Sequence, residues 1–212
     1  MKKIFLVTMT SASFFAVISQ YYIMVSRANL NVFESTIRFF SYFTILSNLL
    51  IAFYSLFMII KKPKKLNNAL SKTGVITAIA IYITIVCLVY QITLRPYWNP
   101  TGFQKVIDEI LHSLIPFLFI FYWLLYEKKA EIKFSLIPKW TIFPLTYLGI
   151  ILIRGIFSNF YPYYFLNIVE FGYLKVFINV SFLIIFFLIM SFLYVLILKL
   201  ISKSKTSLKQ ND

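Results

Sequence analysis

The only histidine of the chain, His112, has two acidic residues at helical spacing. Asp108 precedes it by four residues and Glu109 by three, so on a helix either carboxylate can hold the imidazole in one tautomer. Pro116 follows four residues later and lacks an N–H, which leaves the carbonyl of His112 without its helical partner. The combination predicts a polar pocket around His112. The alternative is a kinked helix whose histidine bonds a neighbouring helix.

The elements that position this histidine are strongly apolar. Hydrophobic residues make up 60% of the 212 and charged residues 13%, with a mean hydropathy of +0.83. A soluble domain needs more polar surface than this. Stretches long enough to cross about 30 Å of hydrocarbon as helices cover residues 4–26, 39–60, 71–94, 105–126, 137–157 and 175–198. We therefore predict an all-α polytopic membrane protein, with a single bundle of six transmembrane helices over residues 1–201 and a disordered basic cytoplasmic tail over residues 202–212.

The charges between the apolar stretches predict the orientation in a cell membrane. The net charge is +14, and most of the lysines fall on one side of the six stretches, in residues 2–3, 61–65, 128–139 and 199–209. The opposite side carries only Arg27, Arg38, Arg95, Lys105, Arg154 and Lys175. By the positive-inside rule the lysine-rich side is cytoplasmic, as are both termini. Charge placed this way is typical of membrane topology and argues against nucleic-acid binding.

Several polar side chains are predicted at similar depth beneath the outer surface. Thr44 lies about 7 Å below the outer end of the second predicted helix, and His112 about 10 Å below that of the fourth. Asn48 shares the helix face of Thr44, and Arg154 and Asn179 fall in the same layer. The inner half has only scattered hydroxyls, so we predict an outward-opening polar site. The pattern leaves open whether these faces meet, since Thr44 alone fits a bond to its own helix and Asn48 fits a contact between helices.

Other site chemistries lack the necessary residues. One cysteine and one histidine cannot form a usual zinc site, and the sequence contains no glycine-rich phosphate loop. No metal or cofactor is therefore expected. The partners predicted from composition are membrane lipids.

Three segments resemble a known family. They are Arg38-Phe39-Phe40-Ser41-Tyr42-Phe43-Thr44-Ile45-Leu46-Ser47-Asn48, Leu111-His112-Ser113-Leu114-Ile115-Pro116, and Tyr161-Pro162-Tyr163-Tyr164-Phe165-Leu166 with Gly172-Tyr173 and Asn179. They are similar to segments of the androgen-induced and androgen-dependent TFPI-regulating protein family of six-helix membrane proteins, and most similar to its bacterial branch. The likeness covers nearly the whole chain.

The resemblance implies a hydrolase of fatty-acyl esters with a threonine nucleophile. The threonine of the family corresponds to Thr44 and its histidine to His112, which then acts as the base. To these we add Asn48 or Asn179 as oxyanion donors, and Arg95 or Arg154 as the group that binds a substrate carboxylate. The alternative is a non-enzymatic lipid-binding or small-molecule transport protein that uses the same polar layer. A purely structural role for Thr44 and His112 is the third possibility.

Overall fold

The computed structural model describes residues 1–60 and 68–210, with side chains as far as Lys203. Over these residues the fold is all-helical and contains no strand. The lysine-rich segment 61–65, predicted as a cytoplasmic loop, lies outside the described residues. The helices are α1 (Lys2–Arg27), α2 (Val32–Phe40), α3 (Phe43–Ile59), α4 (Val75–Leu94), α5 (Gly102–Tyr126), α6 (Ile137–Ser158) and α7 (Ile168–Gln210).

The helices have the length and composition of membrane spans. Five of those described are long and apolar enough to cross a membrane, and α2 with α3 makes a sixth if that bent pair is one span. The predicted all-α, multi-pass class is therefore confirmed at this level. The structure contains no membrane, so the sides on which the termini lie remain a prediction.

The second predicted span is broken near its start. Residues 39–60 were predicted as one helix, whereas α2 and α3 meet at an angle of 76°. Tyr42 is the hinge, because its extended backbone (φ −83°, ψ 124°) interrupts the helical path. Asn31 caps α2 by accepting a hydrogen bond from the Glu34 N–H at 2.7 Å. The run is apolar on both sides of the break, so hydropathy alone does not reveal it.

The helices group into two compact units, and the single bundle over residues 1–201 stays a prediction. Hydropathy locates spans without showing which of them pack together. The first unit, Met1–Tyr126, contains α1 to α5, and α1 packs most extensively on α3. Fully buried small residues, such as Ser13 and Ala16 of α1 and Ser47 and Ala52 of α3, allow such close helix packing.

The second unit, Glu127–Asp212, contains α6 and α7. Phe134 stacks on Phe192 of α7, with ring centroids 4.9 Å apart. Gly172 interrupts α7 with a positive φ of 72°, a conformation that glycine adopts without steric cost. The tail predicted to be disordered from Ser202 is helical as far as Gln210. Lysine, serine and leucine do not oppose continuation of a helix that is already formed.

Candidate active site

The bend between α2 and α3 determines the place of Thr44. Because α3 begins at Phe43, Thr44 lies in its first turn and not five residues down a continuous helix. The backbone N–H groups at a helix start carry partial positive charge. Thr44 therefore occupies the electropositive end of α3, which the sequence did not predict.

A π-helical turn carries His112. Residues Ile110–Leu114 of α5 form this turn, and the N–H of Ile115 donates to the carbonyl of Ile110. Pro116 lies two residues beyond this turn, where the sequence predicts an interruption of the regular helix. Such turns contain one extra residue, and they occur frequently at functional sites.

The structure brings Thr44 and His112 together. Thr44 Oγ1 lies 3.4 Å from His112 Nε2, within the distance that the threonine–histidine hypothesis requires. Thr44 is 7% exposed and His112 9% exposed, so bulk water has little access to the contact. The contact joins the start of α3 to the π turn of α5, across 68 residues of sequence.

Asp108 orients the histidine. His112 Nδ1 lies 3.0 Å from the backbone carbonyl of Asp108 and 3.3 Å from its side-chain oxygen Oδ1. Both atoms are acceptors, so Nδ1 carries the proton and Nε2 presents its lone pair to Thr44. Of the two carboxylates that the spacing offered, the structure places Asp108 beside the imidazole.

Tyr90 of α4 also contacts the histidine, and sequence reasoning missed it. Its ring lies nearly parallel to the imidazole of His112, with centroids 3.9 Å apart and an interplanar angle of 13°. Its hydroxyl donates a hydrogen bond to Asp108 Oδ2. Tyr90 is 3% exposed. A tyrosine within an apolar run resembles an ordinary core residue, so the sequence contains no signal that distinguishes it.

Glu109 belongs to a separate, more exposed cluster. It forms an ion pair with Arg95 and accepts a hydrogen bond from Ser113 Oγ at 2.7 Å. Gln91 completes the cluster, since its amide donates to Ser113 Oγ at 3.1 Å and its carbonyl accepts from Arg95 at 2.7 Å. Arg95, one of the two arginines that the sequence offered for a substrate carboxylate, pairs here with Glu109, and its role toward a substrate stays a prediction.

The side chain of Asn48 is bonded to the backbone of two helices. Its amide nitrogen donates to the carbonyl of Thr44 at 2.8 Å and to that of Leu111 at 3.3 Å. Both amide hydrogens are therefore engaged with backbone carbonyls, and the oxyanion role of Asn48 stays a prediction. Asn48 is fully buried, and it connects α3 to α5 immediately beside the Thr44–His112 contact.

The remaining predicted candidates lie in the second unit. The Arg154 guanidinium sits 5.3 Å from the centre of the Phe160 ring. The Asn179 amide donates to the carbonyl of Phe165 at 2.8 Å. Their assignment to a substrate stays a prediction.

The fold and the site define an all-helical chain with a buried threonine–histidine contact, whose described helices include five or six long and apolar enough to cross a membrane. Among the described residues no group of three or more potential ligands could hold a metal ion. No protein-family model, curated protein or solved structure matches the chain.

Proposed function

We propose that the protein is a membrane-embedded hydrolase of lipid esters, with Thr44 as nucleophile and His112 as general base. The observation that carries the proposal is the 3.4 Å approach of Thr44 Oγ1 to His112 Nε2, while Asp108 holds Nδ1. A hydroxyl, a base and a group that orients the base are the three parts of a nucleophilic site. We also propose kinship with the androgen-induced protein family, supported by the same two residues.

The proposed reaction uses these residues in two stages. His112 Nε2 takes the proton of Thr44 Oγ1, which attacks the ester carbonyl carbon. The bond from that carbon to the alcohol oxygen breaks, and Nε2 protonates the departing alcohol. Water then loses a proton to Nε2 and attacks the acyl-threonine, which releases the carboxylic acid and returns the proton to Thr44 Oγ1. The start of α3 stabilises negative charge that develops beside Thr44.

The substrate class follows from the surroundings. The helices of the first unit expose apolar side chains such as Phe15, Phe53, Phe117 and Phe121, as a lipid-facing surface requires. An acyl chain reaches a site between such helices from the bilayer. The lysine distribution supports cytoplasmic termini in a cell membrane and a site near the outer leaflet. Reporter fusions at each end, active on only one side of the membrane, test that orientation.

A fluorophosphonate probe tests the enzyme directly, since it forms a covalent bond with an activated hydroxyl. We expect the probe to label the purified chain. The labelling rate should fall by about a thousandfold or more in Thr44→Val and in His112→Ala. Thr44→Ser retains a hydroxyl and should keep measurable labelling. Thr84→Val is the matched control, because Thr84 is similarly buried at 8% exposure in α4.

The burial of Thr44 and His112 favours a second candidate, a non-enzymatic lipid-binding protein in which the contact joins helices. Asn48 serves that purpose in the same layer. This candidate predicts no labelling by the fluorophosphonate, together with crosslinking of a photoreactive fatty-acyl ester that Thr44→Val leaves unchanged. Labelling at Thr44 itself, located by peptide mass spectrometry, would exclude it.

A further inference from the structure

Tyr90 contacts two members of the proposed site at once. Its ring stacks on His112 and its hydroxyl bonds Asp108. All three side chains are buried, with Tyr90 3%, Asp108 6% and His112 9% exposed.

The stacking restricts the imidazole. Two rings 3.9 Å apart and within 13° of parallel are in van der Waals contact over their faces. Rotation of the imidazole out of this plane meets the tyrosine ring. Since Nε2 must point at Thr44 Oγ1 to accept its proton, a surface that fixes the ring plane also fixes the direction of that lone pair.

The hydroxyl of Tyr90 acts on the histidine through Asp108, at the Nδ1 atom of the imidazole. It donates to Asp108 Oδ2, which leaves Oδ1 of the same carboxylate directed at His112 Nδ1, 3.3 Å away. A hydrogen bond from a hydroxyl to a carboxylate is charge-assisted and stronger than a neutral one. The carboxylate is therefore held in the rotamer that orients the imidazole.

The backbone supports this arrangement from both helices. Tyr90 begins the π turn Tyr90–Leu94 of α4, closed by the Arg95 N–H on the Tyr90 carbonyl at 2.8 Å. His112 lies in the π turn of α5. Each turn inserts one residue, which rotates the following side chains by about 100° relative to a regular helix. Two such insertions meet at one pair of stacked rings.

We infer that Tyr90 is a positioning residue of the site, which aligns the imidazole of His112 through its ring and Asp108 through its hydroxyl. The inference rests on the proposed hydrolase function. It differs from an ordinary packing role, because a buried tyrosine needs only some partner for its hydroxyl. A positioning role requires that the hydroxyl act through Asp108.

A double-mutant cycle separates these roles, with hydrolysis of p-nitrophenyl octanoate by the full chain in detergent as the assay. In Tyr90→Phe, which keeps the ring, we expect kcat to fall about tenfold with KM unchanged, the size of one hydrogen bond to a charged group. In an Asp108→Ala background, which removes the acceptor of the Tyr90 hydroxyl, the same substitution should change kcat by less than about twofold. Tyr90→Leu, which also removes the stacking, should lose about a hundredfold.

Tyr54→Phe is the matched control, because Tyr54 is buried at 2% exposure among Phe119 and Tyr122, away from the site contacts. It should leave kcat within about twofold. An unchanged kcat in Tyr90→Phe, or an equal loss with and without Asp108→Ala, would overturn the positioning role. Full activity in Thr44→Val would instead reject the hydrolase mechanism, so the two failures are distinguishable.

Discussion

Two polar clusters lie beside each other where α4 and α5 meet. Residues that are adjacent in the sequence belong to different clusters. The buried cluster contains Thr44, Tyr90, Asp108 and His112, and the half-exposed cluster contains Gln91, Arg95, Glu109 and Ser113. Three of the four buried residues are thus followed directly by a residue of the other cluster. One residue is a rotation of about 100° on a helix, which is enough to change the environment.

The comparison shows that burial, not residue type, separates the two clusters. Arg95 and Glu109 have side chains 45% and 36% exposed, and an ion pair at such a surface contributes about 0–1 kcal/mol. The side chains of Asp108 and His112 are 8% and 11% exposed. There the carboxylate has few alternative partners, so its orientation is set by Tyr90 and His112 alone among the contacts described.

The largest effect expected from comparing the two clusters comes from exchanging one carboxylate of each for an amide. Asp108→Asn should lower the rate of fluorophosphonate labelling by at least about a hundredfold, because an amide can present its NH2 to Nδ1 and favour the wrong tautomer. Glu109→Gln should stay within about threefold of the original chain, since Glu109 does not contact the imidazole. Equal losses in the two variants would contradict the separation of the clusters.

A smaller effect, on stability, is expected from Asn48, which bonds the backbone carbonyls of Thr44 and Leu111 beside the buried cluster. Asn48→Ala removes two hydrogen bonds to backbone carbonyls and should lower the free energy of unfolding by about 1–2 kcal/mol, read as a lower thermal midpoint in detergent. Asn179→Ala, which removes one half-buried bond in the second unit, should cost less. A large rate loss in Asn48→Ala with an unchanged midpoint would support the oxyanion role predicted from the sequence.

Hydropathy and charge were sufficient to predict the fold class. Long apolar stretches force the backbone to satisfy its own hydrogen bonds, so helices follow from composition alone. The break at Tyr42 was not predictable in this way, because a single extended residue leaves the apolar run intact. Neither π turn was predicted, although Pro116 marked the place of the second. Their formation depends on packing between α4 and α5, which a single sequence does not display.

The site was predicted in part. The depth of Thr44 was inferred from a continuous second helix, whereas the structure bends that helix at Tyr42. Thr44 and His112 were expected at similar depth on parallel helices, and they meet although Thr44 stands at the start of a bent helix. The helical spacing of Asp108 and Glu109 offered two partners for His112, and tertiary contacts decide between them. Tyr90 was not predicted, because it lies within an apolar run. Only the packing of α4 against α5 brings its hydroxyl to Asp108 and its ring to His112.

The smallest effect is expected from the ion pair of the half-exposed cluster. Arg95→Gln should shift the unfolding free energy by no more than about 1 kcal/mol, and 0.5 M salt should remove most of that difference, because exposed charges are screened. Hydrolysis of a neutral ester should not change.

An ester that carries a free carboxylate provides the informative comparison. If Arg95→Gln slows only that substrate, the guanidinium exchanges Glu109 for the ligand, as the sequence predicted. If both esters react as before, Glu109 already satisfies the charge, and substrate recognition depends on the apolar surroundings of the buried cluster.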